Sequence, residues 1–115
     1  MNLAVVGGRT FNDYAGLEAM LDSLVAGFGF TTIVSGGANG ADSLGERYAK
    51  ERGMKTIIHL PDWKTHGKAA GMIRNRDIIA DADMVVACWD KESRGTANSI
   101  QLAKDSNKTT IMIYY

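Results

Sequence analysis

The chain has 115 residues, enough for one domain with its own core, and 45% of them are hydrophobic against 23% charged. Thirteen Lys and Arg balance thirteen Asp and Glu, so no net field draws in a polyanion. No long nucleic acid is therefore expected as a partner, whereas a small anion needs only a local positive site. Cys88 is the lone cysteine, which excludes an intrachain disulfide, and the first residues lack both a basic region and a long apolar run. The expectation is a soluble cytoplasmic protein with no membrane partner.

Short apolar runs alternate with longer amphipathic ones, the pattern of an α/β fold around a parallel sheet. NLAVVG (2–7) is the first strand candidate. In 13–27, Leu17, Met20, Leu21, Leu24 and Val25 follow the i, i+3, i+4, i+7, i+8 spacing of one helix face. TTIVSG (31–36) reads as the second strand, and 40–52 as a helix with Leu44 and Tyr48 on one face and Gly53 at its stop. KTIIHL (55–60), a helix over 69–81, ADMVVACW (82–89), a helix over 96–105 and KTTIMIYY (108–115) complete the order. The strand runs are continuous rather than alternating, as expected for strands covered on both faces. Right-handed crossovers then give one Rossmann-like domain over 1–115, a three-layer sandwich around a five-stranded parallel sheet of order 3-2-1-4-5. Ligands of such sheets sit between the C-terminal ends of strands 1 and 4. The last strand is apolar for an edge, so a homodimer or higher oligomer is expected to cover it.

Four segments follow strands and would gather at that edge. In GGRTFNDY, Gly7 and Gly8 permit a close turn and Arg9 places a permanent cation beside it; alternatively, this is a glycine turn with a surface arginine. SGGANGAD offers glycines and a helix N-terminus, which suits a phosphate, or simply makes a tight turn. It matches neither the dinucleotide fingerprint nor a Walker A loop. Asp42 is either a dipole-stabilising acid in the first helical turn or a group that binds ribose or handles a proton. In 61–79, Trp63 stacks on a base or merely packs, and Lys68, Arg74 and Arg76 supply cations. Arg74 and Arg76 diverge around a helix, so at most one faces the crevice. His59 ends a strand and His66 lies in a polar, mobile-looking stretch; neither has a second ligand at metal-like spacing, so no metal site is assigned. In CWDKESRGTANSI, Gly95 and Thr96 open the last helix, with Thr96 as a cap or a phosphate ligand, and Cys88 reads as structural.

Taken in order, GGRTF, SGGANGAD, DW, GKAAGMIRN and GTA resemble the YspA/YpsA-related branch of the SLOG superfamily over essentially the whole chain. The resemblance implies a Rossmann-like domain that binds a nucleotide or nucleotide-derived ligand. That superfamily includes the Lonely Guy phosphoribohydrolases, which cleave the N-glycosidic bond of nucleoside monophosphates. It also includes the DNA-processing protein DprA and sensor domains for NAD-derived signals in bacterial immunity. By the resemblance, the glycine loop after strand 2 lies at the ligand site, and GMIRN makes Arg74 and Asn75 ligand contacts. RGTANS is similar to the Gly-Gly-x-Gly-Thr-x-x-Glu phosphate loop of the Lonely Guy enzymes. Two departures stand out: Ser93-Arg94 replaces the leading glycines, and Asn98 or Ser99 stands in the place of the acid.

The expected ligand set is therefore Gly8, Arg9, Thr10 and Phe11, then Ser35, Gly36, Gly37, Ala38, Asn39, Gly40 and Asp42. Trp63, Lys68, Arg74 and Asn75 join it, with Gly95, Thr96, Ala97 and Asn98 from the last loop. Arg9, Arg74 and the amides of 36–40 and 95–97 would hold phosphate; Asn75, Asp42 and Asn98 would contact ribose or base, under a Trp63 cover. The expected function is a sensing or sequestering protein for a phosphorylated nucleotide, in phage–host conflict for instance, acting in the host cytoplasm if phage-encoded. The alternative is a phosphoribohydrolase with Asp42 and Arg74 as catalytic candidates, weakened because Asn98 cannot serve as an anion; Asp13, Asp90 or Glu92 would have to substitute. A third reading is an accessory subunit acting through protein contacts. No cofactor is expected.

Overall fold

The computed structural model describes residues 1–115. Its elements are β1 (Asn2–Gly7), α1 (Tyr14–Phe28), β2 (Thr32–Ser35), α2 (Ala41–Glu51), β3 (Lys55–Ile58), the single turn α3 (Trp63–His66), a 3-10 turn (Gly67–Ala69), α4 (Ala70–Asp81), β4 (Met84–Trp89), α5 (Arg94–Asp105) and β5 (Thr109–Tyr114). All four strand pairings are parallel, in the order β3-β2-β1-β4-β5. This is the doubly wound sheet expected from the alternation of runs.

Side chains alternate across the central strand and so divide the core in two. Leu3 and Val5 pack with Leu17, Leu21 and Leu24 of α1 and Tyr48 of α2. Ala4 and Val6 point the other way, to Ile78 and Ile79 of α4 and Ala103 of α5. Each fully buried Leu or Ile contributes on the order of 1.5–3 kcal/mol of transfer free energy. Local signals set the helix ends. Asp13 caps α1 by accepting from the Gly16 amide, and Gly29 ends it in the left-handed conformation (φ 73°).

Three expectations need correction. Continuous β-branched runs suggested strands covered on both faces, but β3 is mostly exposed and β5 only half-buried. Both are sheet edges, where a helix layer covers less. The polar, mobile-looking stretch around His66 is ordered as one helical turn, because the Asp62 carboxylate accepts from the Thr65 amide at 3.2 Å. Finally, α5 begins at Arg94 rather than 96, because Ser93 caps it by accepting from the Thr96 amide. Thr96 is therefore inside the helix and is not its cap.

Candidate functional site

The loops after β1, β2, β3 and β4 surround a cavity of about 860 Å³ at the C-terminal edge of the sheet, within the usual range for small-ligand sites. The loop after β2 forms one wall through Gly36, Gly37, Ala38 and Asn39. Its glycines have separate jobs. A Cβ on Gly36 would come 2.5 Å from Arg74 Nη1 and 2.7 Å from Asp42 Oδ2, so this position is left bare for two converging side chains. Gly40 has φ 77° and sits with its backbone against Gly8 and Arg9, a conformation and a contact that no side chain permits. Ala41 N then donates to Gly8 O at 3.3 Å, tying this loop to the one after β1.

Most amides of this loop are already used. Asp42 Oδ2 accepts from Gly36 N at 3.0 Å and Ala38 N at 3.4 Å, and Gly37 N donates to Ser35 Oγ at 3.2 Å. The expectation that amides 36–40 hold phosphate is therefore corrected for 36–38, which the protein's own oxygens occupy. The loop after β4 behaves similarly. Thr96 N goes to the Ser93 side chain and Ala97 N to the Ser93 carbonyl, leaving only Gly95 N of the amides expected at 95–97.

The loop after β1 has the opposite character. Gly8, Arg9 and Thr10 line the cavity, and neither the Arg9 nor the Thr10 amide has a partner within the chain. The Arg9 guanidinium makes none of the molecule's ion pairs. Tyr115 steadies this loop from outside, with its hydroxyl 3.0 Å from Thr10 Oγ1 and its ring edge-on to Phe11 at 5.1 Å.

Opposite stands α4. Arg74 Nη1 donates to the Gly36 carbonyl and, at 3.4 Å, to the His59 carbonyl, while its Nε donates to Asn75 Oδ1 at 3.1 Å. It thus buckles the ends of β2 and β3 to α4 as well as facing the cavity. Burial, together with the nearby Arg9 charge, lowers its pKa, while Asp42 acts the other way. Asn75 Nδ2 donates to Asn98 Oδ1 at 3.1 Å and Gly95 O at 3.3 Å. Arg76 is exposed, as the helical divergence required. Lys68 and Trp63 line the outer cavity.

Two carboxylates, Asp42 and Asp90, line the cavity. Burial raises the Asp42 pKa to about 6, against the opposing pull of the Ala38 amide, Arg74 and the Gly36 amide. Asp90 is held low by the Ser93 and Glu92 amides it accepts from. Asp13 caps α1, and Glu92 lies outside the cavity lining. Burial pushes the Cys88 thiol up to about 12, so the sulfur is inert, in keeping with its structural reading. His59 is committed to Asp81, Nε2 to Oδ2 at 2.5 Å.

A model of the YspA, cpYpsA-related SLOG family matches residues 1–66. The chain belongs to this family. Gene 61 protein of Mycobacterium phage D29 is 32% identical over 107 residues, covering 87% of this chain and 86% of that one. DNA processing protein A from Helicobacter pylori, whose structure was described for its single-stranded DNA binding mode, matches with a TM-score of 0.76 at 25% identity. The match covers 97% of this chain and 64% of that chain, so this SLOG domain spans less than two thirds of its structural neighbour. No helix is long and apolar enough to cross a membrane.

Of the residues expected at a SLOG ligand site, Gly8, Arg9, Thr10, Gly36, Gly37, Ala38, Asn39, Asp42, Trp63, Lys68, Arg74, Asn75, Gly95 and Thr96 line the cavity. Five lie elsewhere. Phe11 is packed into the α1/α2 core, and Ser35 hydrogen-bonds Glu46 behind the loop. Gly40 backs onto Gly8, Ala97 points its amide into α5, and Asn98 reaches the site only through Asn75. Sequence reasoning missed Leu60, Pro61 and Met72, which form the outer lip, and Ser93, a residue type favoured at a helix N-cap. It also missed Tyr115, for which no local signal exists.

Proposed function

We propose that this SLOG domain binds a phosphorylated nucleotide or nucleotide derivative in the cavity, as a sensing or sequestering protein. One observation carries the reading: Arg9, Lys68 and Arg74 converge on one cavity, and none of them is paired with a carboxylate. Asp42 stands near Arg74 without forming an ion pair with it, and Arg9 and Lys68 make no ion pair at all, so a phosphate would supply the missing counter-charge. The amides of Arg9, Thr10, Asn39 and Gly95, left without partners, add donors around the same space. The structural neighbour binds single-stranded DNA; here the zero net charge and the bounded cavity favour a small ligand over a long strand. The relative encoded by a mycobacteriophage suits a protein that removes a nucleotide signal in the host cytoplasm. The half-exposed edge strand β5, with Tyr114 56% exposed at its end, is the surface through which a homodimer would form. Native mass spectrometry of the gently purified protein should show a bound nucleotide mass. An empty protein that also ignores added nucleoside mono-, di- and dinucleotides would overturn the reading.

Asp42 favours a second reading, phosphoribohydrolase, because a cavity carboxyl with a pKa of about 6 sits near the range of a working acid or base. Its Oδ2 is committed to two loop amides, which favours binding over chemistry. Incubation with nucleoside 5′-monophosphates should leave them intact. Release of free base that Asp42→Asn abolishes would establish the enzyme instead.

A further inference from the structure

The cavity has a second wall of different chemistry. Leu60, Trp63 and Met72 line it while remaining 71%, 54% and 42% exposed. Together with Pro61 they form an apolar lip, in which the indole N–H of Trp63 is the only polar side-chain atom. Leu60 packs on Gly37, and one edge of the Trp63 ring comes within 3.8 Å of where a Gly71 Cβ would stand at the start of α4. A contiguous exposed apolar patch beside a polar cavity marks a binding surface, and an indole in it offers a face for stacking.

The topology fixes where this lip lies relative to the cations. Leu60, Pro61 and Trp63 follow β3, at the sheet edge, whereas Arg9 follows β1, two strands away in the order β3-β2-β1-β4-β5. Two strand spacings are ~10 Å, a span that a phosphate–ribose–base unit covers when its phosphate sits at Arg9. Building on the phosphate-binding reading above, we infer that the lip is a stacking platform that reads a nucleobase by its face. It offers no array of donors and acceptors for a base edge. The site therefore selects for phosphate, ribose and a flat heteroaromatic ring, and it tolerates every base, ranking them by stacking area.

Calorimetric titration of AMP, GMP, CMP, UMP and ribose 5-phosphate into the wild type, Trp63→Ala and Trp63→Phe tests this. All four nucleotides should bind within about tenfold of one another, purines ahead, and ribose 5-phosphate about 10–100-fold more weakly. Trp63→Ala should bring the nucleotides down to the level of ribose 5-phosphate, which has no base to stack, and Trp63→Phe should restore most of the loss. Trp63 is half-exposed, so its replacement leaves the fold in place. A preference above 100-fold for one base, or nucleotide affinities indifferent to Trp63, would overturn the platform while leaving the phosphate site standing. Failure of ribose 5-phosphate and every nucleotide to bind the wild type would overturn both.

Discussion

The loops after β1 and β2 both bring glycines to the same cavity, yet they do opposite things there. The glycine-rich GGANG segment is largely closed on itself: Asp42 and Ser35 take the amides of Gly36, Ala38 and Gly37. The GGRTF segment leaves Arg9 and Thr10 with open amides and an unpaired guanidinium. Glycine density therefore marks where neighbouring groups need room, and under the proposed function it is the unmatched donors of the other loop that would hold the anion. The loop after β2 is scaffold, and the loop after β1 is the proposed grip.

Gly40 joins the two loops, and its replacement has the largest expected effect. Gly40→Ala must place a Cβ into the backbone of Gly8 and Arg9 at φ 77°, separating the two loops. A stability loss of about 3 kcal/mol or more is expected in urea denaturation, because strain and overlap add. A smaller loss would mean that the two loops are not rigidly joined.

Asp42 sharpens the scaffold side through pH. Its folded-state pKa of about 6 lies above the ordinary 3.8, so the folded protein binds this proton more tightly than the unfolded chain does. The stability it contributes is full below about pH 4 and is lost as pH rises through 6, a difference of about 3 kcal/mol. Asp42→Asn keeps an acceptor for the Gly36 and Ala38 amides and removes that titration. The wild type should therefore lose stability relative to Asp42→Asn between pH 4 and 7, and parallel curves would show the carboxyl to be ordinary.

Arg74 belongs to both sides. Arg74→Ala removes the donor to the Gly36 and His59 carbonyls, so it should cost about 1–3 kcal/mol of stability and weaken nucleotide binding as well. Loss of affinity at full stability would make Arg74 a ligand contact only. The smallest effect belongs to Tyr115→Phe, which removes the hydroxyl contact to Thr10 while keeping the ring on Phe11. About 0.5–1 kcal/mol and a few-fold weaker binding are expected. An unchanged Kd would show that the loop holds its shape unaided.

How far the residues alone reveal this follows from the range over which each effect operates. Strand order was legible because alternating runs and right-handed crossovers leave few topologies, and the second strand, read at 31–36, spans Thr32–Ser35. The turn Trp63–His66 was not, since four residues cannot display a helical period. Within the site, Arg9 and Arg74 were legible as cations following or facing a crevice. The closure of the Gly36–Ala38 amides is not, because an acid in the first helical turn reads as a dipole-stabilising group or as one that binds ribose or handles a proton, and the reach of Asp42 back along the chain is a matter of geometry. Tyr115 touches Thr10 across 105 positions of sequence, a separation no local pattern bridges.

Arg9 offers the most direct test of the central claim, that unmatched cations at this cavity hold a phosphorylated nucleotide. Calorimetry of a nucleoside 5′-monophosphate against the wild type and Arg9→Ala, with thermal melts of both, separates grip from scaffold. Saturable binding to the wild type, a loss of about tenfold to a hundredfold in the variant and unchanged melting are expected, since this side chain is exposed and unpaired. Equal affinities for the two proteins, or no binding to the wild type, would contradict that claim.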